Sequence, residues 1–190
     1  MAGKAIGFRV HSGWAAMVVV SGSPRAPEIL ERRRIEIMDR SIPGSKQPYH
    51  YAAELSIAQA QSHLARCAKR SREMAAEAIE DAIRRHHPSI GGMGISSGRP
   101  AGTLEATLAS HAAIHSAEGE FFREAITQAL EVCELPCRNF KEKELVKLAA
   151  EAFQLPDLET RLTEMRKIFG SPWTQDEKFG ALAAWLAIKS

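Results

Sequence analysis

Three extended segments joined by short connections fill the first 39 residues, and they restrict the fold more than any other feature of the chain. Lys4 to Val10 alternates apolar and polar residues and ends at the turn signal His11-Ser12-Gly13, after which Trp14 to Val20 is a more apolar segment. Glu28 to Asp39 mixes β-branched residues with charges on both faces, which is typical of an edge strand because charges there block pairing with another chain. Three consecutive strands with short connections predict an antiparallel meander.

Helices and short strands alternate in the rest of the chain. After a loop at Arg40 to Tyr51, a capping box at Ser56 and Gln59 begins a long helix that Pro88 terminates, with a kink expected near Ser71. The later pattern predicts a glycine-rich buried strand at Ser89 to Ile95, a helix at Ala106 to Glu134 and a short strand at Cys137 to Phe140. Three further helices follow, at Glu142 to Phe153, at Leu158 to Phe169 and after Thr174.

This order predicts an α/β fold with a five-stranded mixed sheet, in which an antiparallel meander is followed by parallel strands and helices flank the sheet. With 190 residues, 45% hydrophobic and 25% charged, the chain is expected to form one domain over residues 1–190. Its parts would be the meander at 1–39, a helix-strand-helix-strand-helix segment at 54–153, and C-terminal helices at 157–190.

Net charge, hydropathy and cysteine content restrict the partners and the cellular compartment expected for this chain. A net charge of +2 and a pI near 8.5 are too mild to require a nucleic-acid partner, and no apolar run is long enough to span a bilayer. The valine-rich run before Ser21 is bracketed by glycines, which favours a strand over a signal peptide. Three cysteines without framework spacing (Cys67, Cys133 and Cys137) favour a reducing compartment. We therefore expect a cytoplasmic protein without a membrane partner.

Two stretches carry a resemblance to a known family. AIGFRVHSGWAAMVVV, starting at Ala5, resembles the opening hairpin of crossover-junction resolvases, and DEKFGALAAWLAI, starting at Asp176, resembles their last helix. Together with the order of elements, they resemble the ribonuclease H-like fold, the scaffold of resolvases, retroviral integrases and related nucleases. The resemblance implies carboxylates that hold two divalent metal ions about 4 Å apart for phosphodiester hydrolysis.

The sequence departs from that family at the carboxylate positions. The aspartate of the first strand is matched by Arg9, no acidic residue precedes Glu28, and none lies between Asp81 and Glu105, where the fourth strand ends. Glu118 or Glu120 and Asp176 or Glu177 remain as catalytic candidates; of these we select Glu118 and Asp176. The resemblance therefore predicts a divergent ribonuclease H-like domain without an active two-metal centre. We expect a binding or assembly module that self-associates through its apolar late helices.

His111, His115 and Glu118 are spaced by four and three residues, which places them on one face of a helix. Two imidazoles and a carboxylate could hold one divalent metal ion. The alternative is a polar helix face on which Glu118 accepts hydrogen bonds from a neighbouring loop or from Arg123. No cofactor is assigned; a divalent metal ion is compatible with this group but is not expected.

A second candidate ligand site follows the glycine-rich strand. Ser96, Ser97 and Arg99 offer hydroxyls and a guanidinium at the carboxyl end of that strand, where open α/β sheets bind ligands, and Arg9 could join them. One alternative function is thus a metal-dependent hydrolase or nuclease with a rearranged site that combines Glu118, His115, Ser96, Arg99 and Asp176. The other interpretation of the glycines is that they allow a helix to pack tightly on the strand.

The densest basic run is Arg32-Arg33-Arg34, which could contact phosphates in a passive nucleic-acid-binding protein. It is interleaved with Glu28, Glu31, Glu36 and Asp39, so a solvated strand edge is the competing interpretation.

Overall fold

A computed structural model of the chain describes residues 3–95 and 102–189. Its five-stranded sheet consists of β1 (Lys4–His11), β2 (Trp14–Ser23), β3 (Ala26–Glu36), β4 (Ile90–Ile95) and β5 (Cys137–Lys141). The strand order is β3-β2-β1-β4-β5. The first three strands are antiparallel, whereas β4 pairs parallel with β1 and β5 pairs parallel with β4. The predicted mixed sheet, with a meander followed by parallel strands, is confirmed.

Local chemistry explains the meander. His11 pairs with Trp14 across a two-residue turn in which Gly13 has a φ of 85°, a conformation that glycine adopts without steric cost. Among the described residues β3 pairs with β2 alone and lies at the edge of the sheet, as its charges predict. It begins two residues before the predicted Glu28 and ends three residues before Asp39.

Helices cover both faces of the sheet. In chain order they are α1 (Pro48–Ala52), α2 (Ile57–His86), α3 (Leu104–Leu108), α4 (His111–Val132), α5 (Leu145–Phe153), α6 (Leu158–Phe169) and α7 (Gln175–Lys189), with a 3-10 turn at Glu142–Glu144 before α5. At the start of α2, Gln59 Oε1 accepts hydrogen bonds from the Ser56 backbone N–H at 3.2 Å and from its hydroxyl at 2.8 Å. The predicted capping box is therefore present.

Two predicted boundaries were wrong. The segment Arg40 to Tyr51 is not entirely loop, because α1 begins within it at Pro48, a residue suited to a first helical turn. The helix predicted from Ala106 is interrupted, since Ser110 caps α4 by accepting a hydrogen bond from the Ala113 backbone N–H at 3.3 Å. α2 is one continuous helix from Ile57 to His86 with the Ser71 side chain buried, and the kink expected near Ser71 stays a prediction.

The two faces of the sheet have separate cores. Alternate residues of β1 and β2, such as Ile6, Phe8 and Met17, pack against α2 and α4. The intervening residues, such as Ala5 and Val18, pack against α5, α6 and α7. Because side chains alternate along a strand, each residue of β1 can be assigned to one of these faces.

α7 lies against the sheet at backbone distance. A Cβ added at Gly7 would lie 1.9 Å from the Gly180 carbonyl oxygen, and one added at Gly92 would lie 2.1 Å from the Ala183 carbonyl oxygen. Trp185 is fully buried, and its Nε1 donates to the Ser21 carbonyl at 3.1 Å. Glycines in β1, β4 and α7 thus set the spacing between this helix and the sheet.

The apolar face of α7 is used within the chain, since every residue from Gly180 to Ala187 is buried. Among the described residues, the exposed large hydrophobic side chains are Tyr51, Val132 and Ile168, the last at 72% exposure on α6. Self-association through the late helices stays a prediction, and Ile168 is the apolar contact that the described part of those helices offers. No helix within residues 3–95 and 102–189 has the length and apolarity needed to cross a bilayer.

Asp39 links the segment after β3 to α2 through hydrogen bonds and an ion pair. Its carboxylate accepts from the Ser41 hydroxyl at 2.6 Å and from the Ser41 backbone N–H at 2.9 Å, and it pairs with Arg70 Nε at 2.9 Å. The Ser41 hydrogen bonds, followed by the Arg70 contact, lower the pKa of Asp39 from 3.8 to about 2.

We expect Asp39→Asn to reduce the acid sensitivity of folding. A carboxyl whose pKa is depressed in the folded state stabilises that state above its unfolded pKa, and the contribution is lost as the pH falls toward the folded pKa. Urea unfolding between pH 6 and pH 2 should therefore show a stability difference between wild type and Asp39→Asn that is largest above about pH 4 and decreases steadily as the pH falls to about 2. A difference that is independent of pH would contradict the assignment.

Candidate functional site

Arg9 lies near the carboxyl end of β1 at the centre of a charged group. Its Nη1 donates to Asp176 Oδ1 at 2.7 Å, and its Nη2 donates to Glu142 Oε1 at 3.2 Å. His11 Nε2 lies 2.9 Å from the same Asp176 oxygen. β1, the turn after β5 and the start of α7 each contribute to this group, which we call the Arg9 cluster (Arg9, His11, Glu142 and Asp176).

The Arg9 cluster is partly shielded from solvent. The side chains of Arg9, Asp176 and Glu142 are 17%, 24% and 32% exposed. The guanidinium carbon also lies 4.8 Å from the centroid of the Phe179 ring, within the range of a cation–π contact. One guanidinium therefore pairs with two carboxylates at the sheet edge where parallel strands end.

A metal ion at this position would have to compete with Arg9. The carboxylates of Asp176 and Glu142 are the acidic ligands of the cluster, and both are paired with the guanidinium. Two like unit charges about 4 Å apart repel by about 4 kcal/mol at an effective dielectric constant of about 20. The repulsion between the Arg9 guanidinium and a dication at that distance would be about twice as large. The geometry favours an internal ion pair over a pair of bound metal ions.

Sequence reasoning selected Arg9 and Asp176 but not Glu142 or His11. Glu142 immediately follows β5, and the carboxyl ends of β1, β4 and β5 meet at one edge of the sheet. That rule could have identified Glu142. The predicted ligand-binding residues Ser96, Ser97 and Arg99 lie outside the described residues.

Glu118 belongs to a second group on the opposite face of the sheet. It is 4% exposed, and its Oε1 accepts from the backbone N–H groups of Tyr49 at 2.7 Å and His50 at 3.0 Å. These are N–H groups of the first turn of α1, which has no side-chain cap from Gln47. Glu118 of α4 thus caps a neighbouring helix, which is one of the two interpretations of this residue offered by the sequence.

Burial raises the pKa of Glu118, and the hydrogen bonds from His50 and Tyr49 oppose that effect. Its second oxygen, Oε2, is buried and has no hydrogen-bond partner among the described residues. The glycine beside it does not open a ligand site, because a Cβ at Gly119 would contact the Arg123 guanidinium at 3.1 Å. Glu118 is a buried acceptor with one oxygen unused.

Three histidines gather next to Glu118. One ring nitrogen from each of His50, His111 and His115 can be chosen so that all lie within 4.8 Å of one another. His50 Nδ1 also lies 3.3 Å from Glu118 Oε1. We call this group the histidine cluster (His50, His111, His115 and Glu118). The sequence placed His111, His115 and Glu118 on one helix face, but His50 was missed because it lies in the segment predicted as a loop.

The two groups are not one site. Ala5, Gly7 and Arg9 share the face of β1 that α7 covers, whereas α4 packs on the opposite face. Glu118 and Asp176 therefore lie on helices that cover opposite faces of the sheet. Within residues 3–95 and 102–189, no hydrogen bond or ion pair joins the two clusters.

The arginines of β3 serve contacts within the chain. Arg32 donates to the Phe169 carbonyl, and Arg33 pairs with Asp81 at 3.0 Å. Arg34 pairs with Glu36 at 2.8 Å, and its guanidinium carbon lies 4.1 Å from the Trp14 ring centroid. These contacts favour the interpretation of a charged strand edge over that of a free phosphate-binding stripe.

Comparison with known proteins supports the fold alone. No protein-family model and no curated protein sequence matches the chain. Among solved structures, Thermus thermophilus RuvC in complex with a Holliday junction substrate superimposes with a TM-score of 0.57 at 9% identity. Another structure of RuvC from the same organism gives a TM-score of 0.55 at 12% identity. Each comparison covers 96% of this chain and 90% of the other. With the strand order β3-β2-β1-β4-β5, the chain has the ribonuclease H-like fold that the sequence resemblance predicts.

Proposed function

We propose that this chain is a nucleic-acid-associated ribonuclease H-like domain that binds its partner without cleaving it by two-metal chemistry. The observation that carries the proposal is the Arg9 guanidinium, held by Asp176 at 2.7 Å and by Glu142 at 3.2 Å. In this fold family the first strand is expected to supply a metal-binding carboxylate at that position. Here a side chain of opposite charge occupies it.

Two-metal hydrolysis needs both cations, one to activate the water and one to stabilise the leaving oxygen. Arg9 can stabilise negative charge on a phosphate, but a guanidinium cannot generate a bound hydroxide as a metal ion does. The Arg9 cluster is therefore suited to holding its elements together, and both of its carboxylates are paired with Arg9 instead of being free to hold the metal ion that would activate water.

A nucleic-acid partner is supported by the structural likeness to RuvC in complex with a Holliday junction substrate. Exposed lysines that follow Glu142 in the sequence provide a candidate phosphate contact. Lys143 follows Glu142 directly, and Lys143 and Lys147 line one groove. Asp157 and Glu159 line the same groove, so its charge is mixed. We therefore expect weak affinity with a marked salt dependence.

Binding should be measured by fluorescence anisotropy with labelled single-stranded, duplex and four-way-junction DNA at several salt concentrations. We expect saturable binding at low salt that weakens as salt rises, because condensed counterions are released on binding. Lys147→Glu should weaken binding and lower the slope of log K against log salt by about 1. Lys69→Glu is the matched control. Lys69 and Lys147 each lie 4.0 Å from a glutamate four residues further along the same helix. Lys69 belongs to α2, however, which lies on the other face of the sheet.

The same substrates should be incubated with Mg²⁺ or Mn²⁺ and compared with an EDTA control. We expect no cleavage above that control. Cleavage that requires metal and disappears in Asp176→Asn would refute the absence of two-metal chemistry. Flat binding curves at the lowest salt for all substrates would refute the nucleic-acid partner.

A further inference from the structure

The histidine cluster has the composition of a mononuclear metal site and is independent of the Arg9 cluster. His111 and His115 are one turn apart at the start of α4, and His50 of α1 completes the group. The ring centroids of His50 lie 4.8 Å from His115 and 5.7 Å from His111, and those of His111 and His115 are 4.4 Å apart. Two elements thus supply three imidazoles to one small volume.

From this arrangement we propose that His50, His111 and His115 bind one transition-metal ion of the Zn²⁺ class, with Glu118 as the carboxylate behind His50. The proposal does not rest on the nucleic-acid function, because it uses different residues on the other face of the sheet. Neutral imidazole is a ligand for Zn²⁺, Co²⁺, Ni²⁺ and Cu²⁺, whereas Mg²⁺ and Ca²⁺ prefer oxygen ligands. Three imidazoles therefore select the first group of metals.

The second observation in support is the position of Glu118. Histidines that bind metals usually donate their other ring N–H to a carboxylate, which fixes the ring and makes it a better ligand. His50 Nδ1 lies 3.3 Å from Glu118 Oε1, so this contact would leave Nε2 of His50 for the metal. Glu118 is 4% exposed, and its Oε2 is buried without a partner among the described residues. A buried carboxylate beside three imidazoles can supply negative charge that a bound dication would balance.

The geometry requires only small side-chain adjustments. Tetrahedral coordination with metal–nitrogen distances of about 2.0–2.1 Å separates the ligand nitrogens by about 3.4 Å. In the structure, one ring nitrogen from each of the three histidines lies within 4.8 Å of the other two. His111 and His115 are exposed, so their rings can rotate inward without disturbing the core. Three protein ligands leave a fourth position for water, the arrangement found in zinc sites that keep an open coordination position.

Untagged protein, stripped of metal with EDTA and exchanged into buffer, should be titrated with ZnCl₂ by isothermal calorimetry. Co²⁺ should be added separately, to follow the visible absorption of a four-coordinate ion. We expect saturation at one metal per chain and a melting temperature that rises with Zn²⁺ but not with Mg²⁺. Glu118→Gln should weaken the Zn²⁺ affinity roughly 10- to 100-fold, the usual effect of removing a carboxylate behind a metal-bound histidine. His111→Ala and His115→Ala should weaken it further.

His87→Asn is the matched control. It removes an exposed histidine that directly follows α2. α2 starts near α1 and its 30 residues span roughly 45 Å, which separates His87 from the histidine cluster. Asparagine tolerates the backbone conformation at this position, where φ is 53°. Circular dichroism should show that the His111 and His115 variants fold, because both side chains are exposed. The exposed-histidine variants therefore decide the test even if Glu118→Gln is unstable. The proposal would be overturned by no saturable binding, by equal affinity in wild type and His115→Ala, or by an equal loss in His87→Asn.

Discussion

Replacing Gly7 by alanine is expected to destabilise the protein by about 3 kcal/mol or more, since the added methyl group overpacks a contact between two backbones. The new Cβ would lie 1.9 Å from the Gly180 carbonyl oxygen and 2.9 Å from the Ala184 Cβ. No side-chain rotation can relieve a clash with a carbonyl, so α7 must move away from the sheet. That movement would loosen the contacts around the fully buried Trp185.

Urea unfolding monitored by tryptophan fluorescence would measure the effect, and the melting temperature should fall by roughly 6–12 °C for a chain of this size. Gly119→Ala is the matched control, because the nearest described atoms to its Cβ would belong to the flexible end of the Arg123 side chain, the closest at 3.1 Å. Alanine is favoured over glycine in a helix interior by about 1 kcal/mol, so this control should be neutral or slightly stabilising. Equal destabilisation by both substitutions would show that the spacing of α7 is not set by Gly7.

The sheet could be predicted from the sequence because its signals are local. The two-residue turn at Ser12-Gly13 and the charges of the third strand define a meander with an exposed edge, and the structure confirms both. The start of α2 was predicted because Ser56 and Gln59 form a local capping box. The break at Ser110 was missed although Ser110 also caps its helix locally, whereas α1 was missed because it depends on a distant partner. α1 has five residues and no cap of its own, and its first N–H groups are satisfied by Glu118, 68 or 69 residues away.

The candidate sites were predicted only in part for the same reason. A helix period relates His111, His115 and Glu118, but no period relates them to His50, which joins them through tertiary packing. Arg9 was selected because it replaces an expected carboxylate, and its contact with Asp176 spans 167 residues of sequence. The family pattern could indicate that a carboxylate was lacking. Only the tertiary structure shows that Glu142 and Asp176 neutralise the arginine.

Arg9→Asp is expected to destabilise the metal-free protein by about 3 kcal/mol and to create a response to Mg²⁺ that the wild type lacks. The substitution removes the cation between Asp176 and Glu142 and adds a third carboxylate in its place. Breaking a buried ion pair costs roughly 3–5 kcal/mol, and the partial exposure of these side chains reduces that figure while the added like charge increases it. Three convergent carboxylates match the oxygen ligands that Mg²⁺ prefers, so adding Mg²⁺ should restore part of the lost melting temperature.

Thermal unfolding with EDTA, Mg²⁺ and Mn²⁺ would separate the two effects. Arg9→Met removes the cation without adding a carboxylate, so it should lose stability but gain a weaker response to Mg²⁺. Combining Arg9→Asp with Asp176→Asn should remove most of the recovery, since one of the three oxygen ligands becomes a neutral amide. Because imidazoles bind Mg²⁺ poorly, the histidine cluster would not contribute to this readout. Equal responses of Arg9→Asp and Arg9→Met to Mg²⁺ would show that a carboxylate in place of Arg9 does not complete a metal site. The proposal that Arg9 prevents two-metal chemistry in this ribonuclease H-like domain would then be refuted.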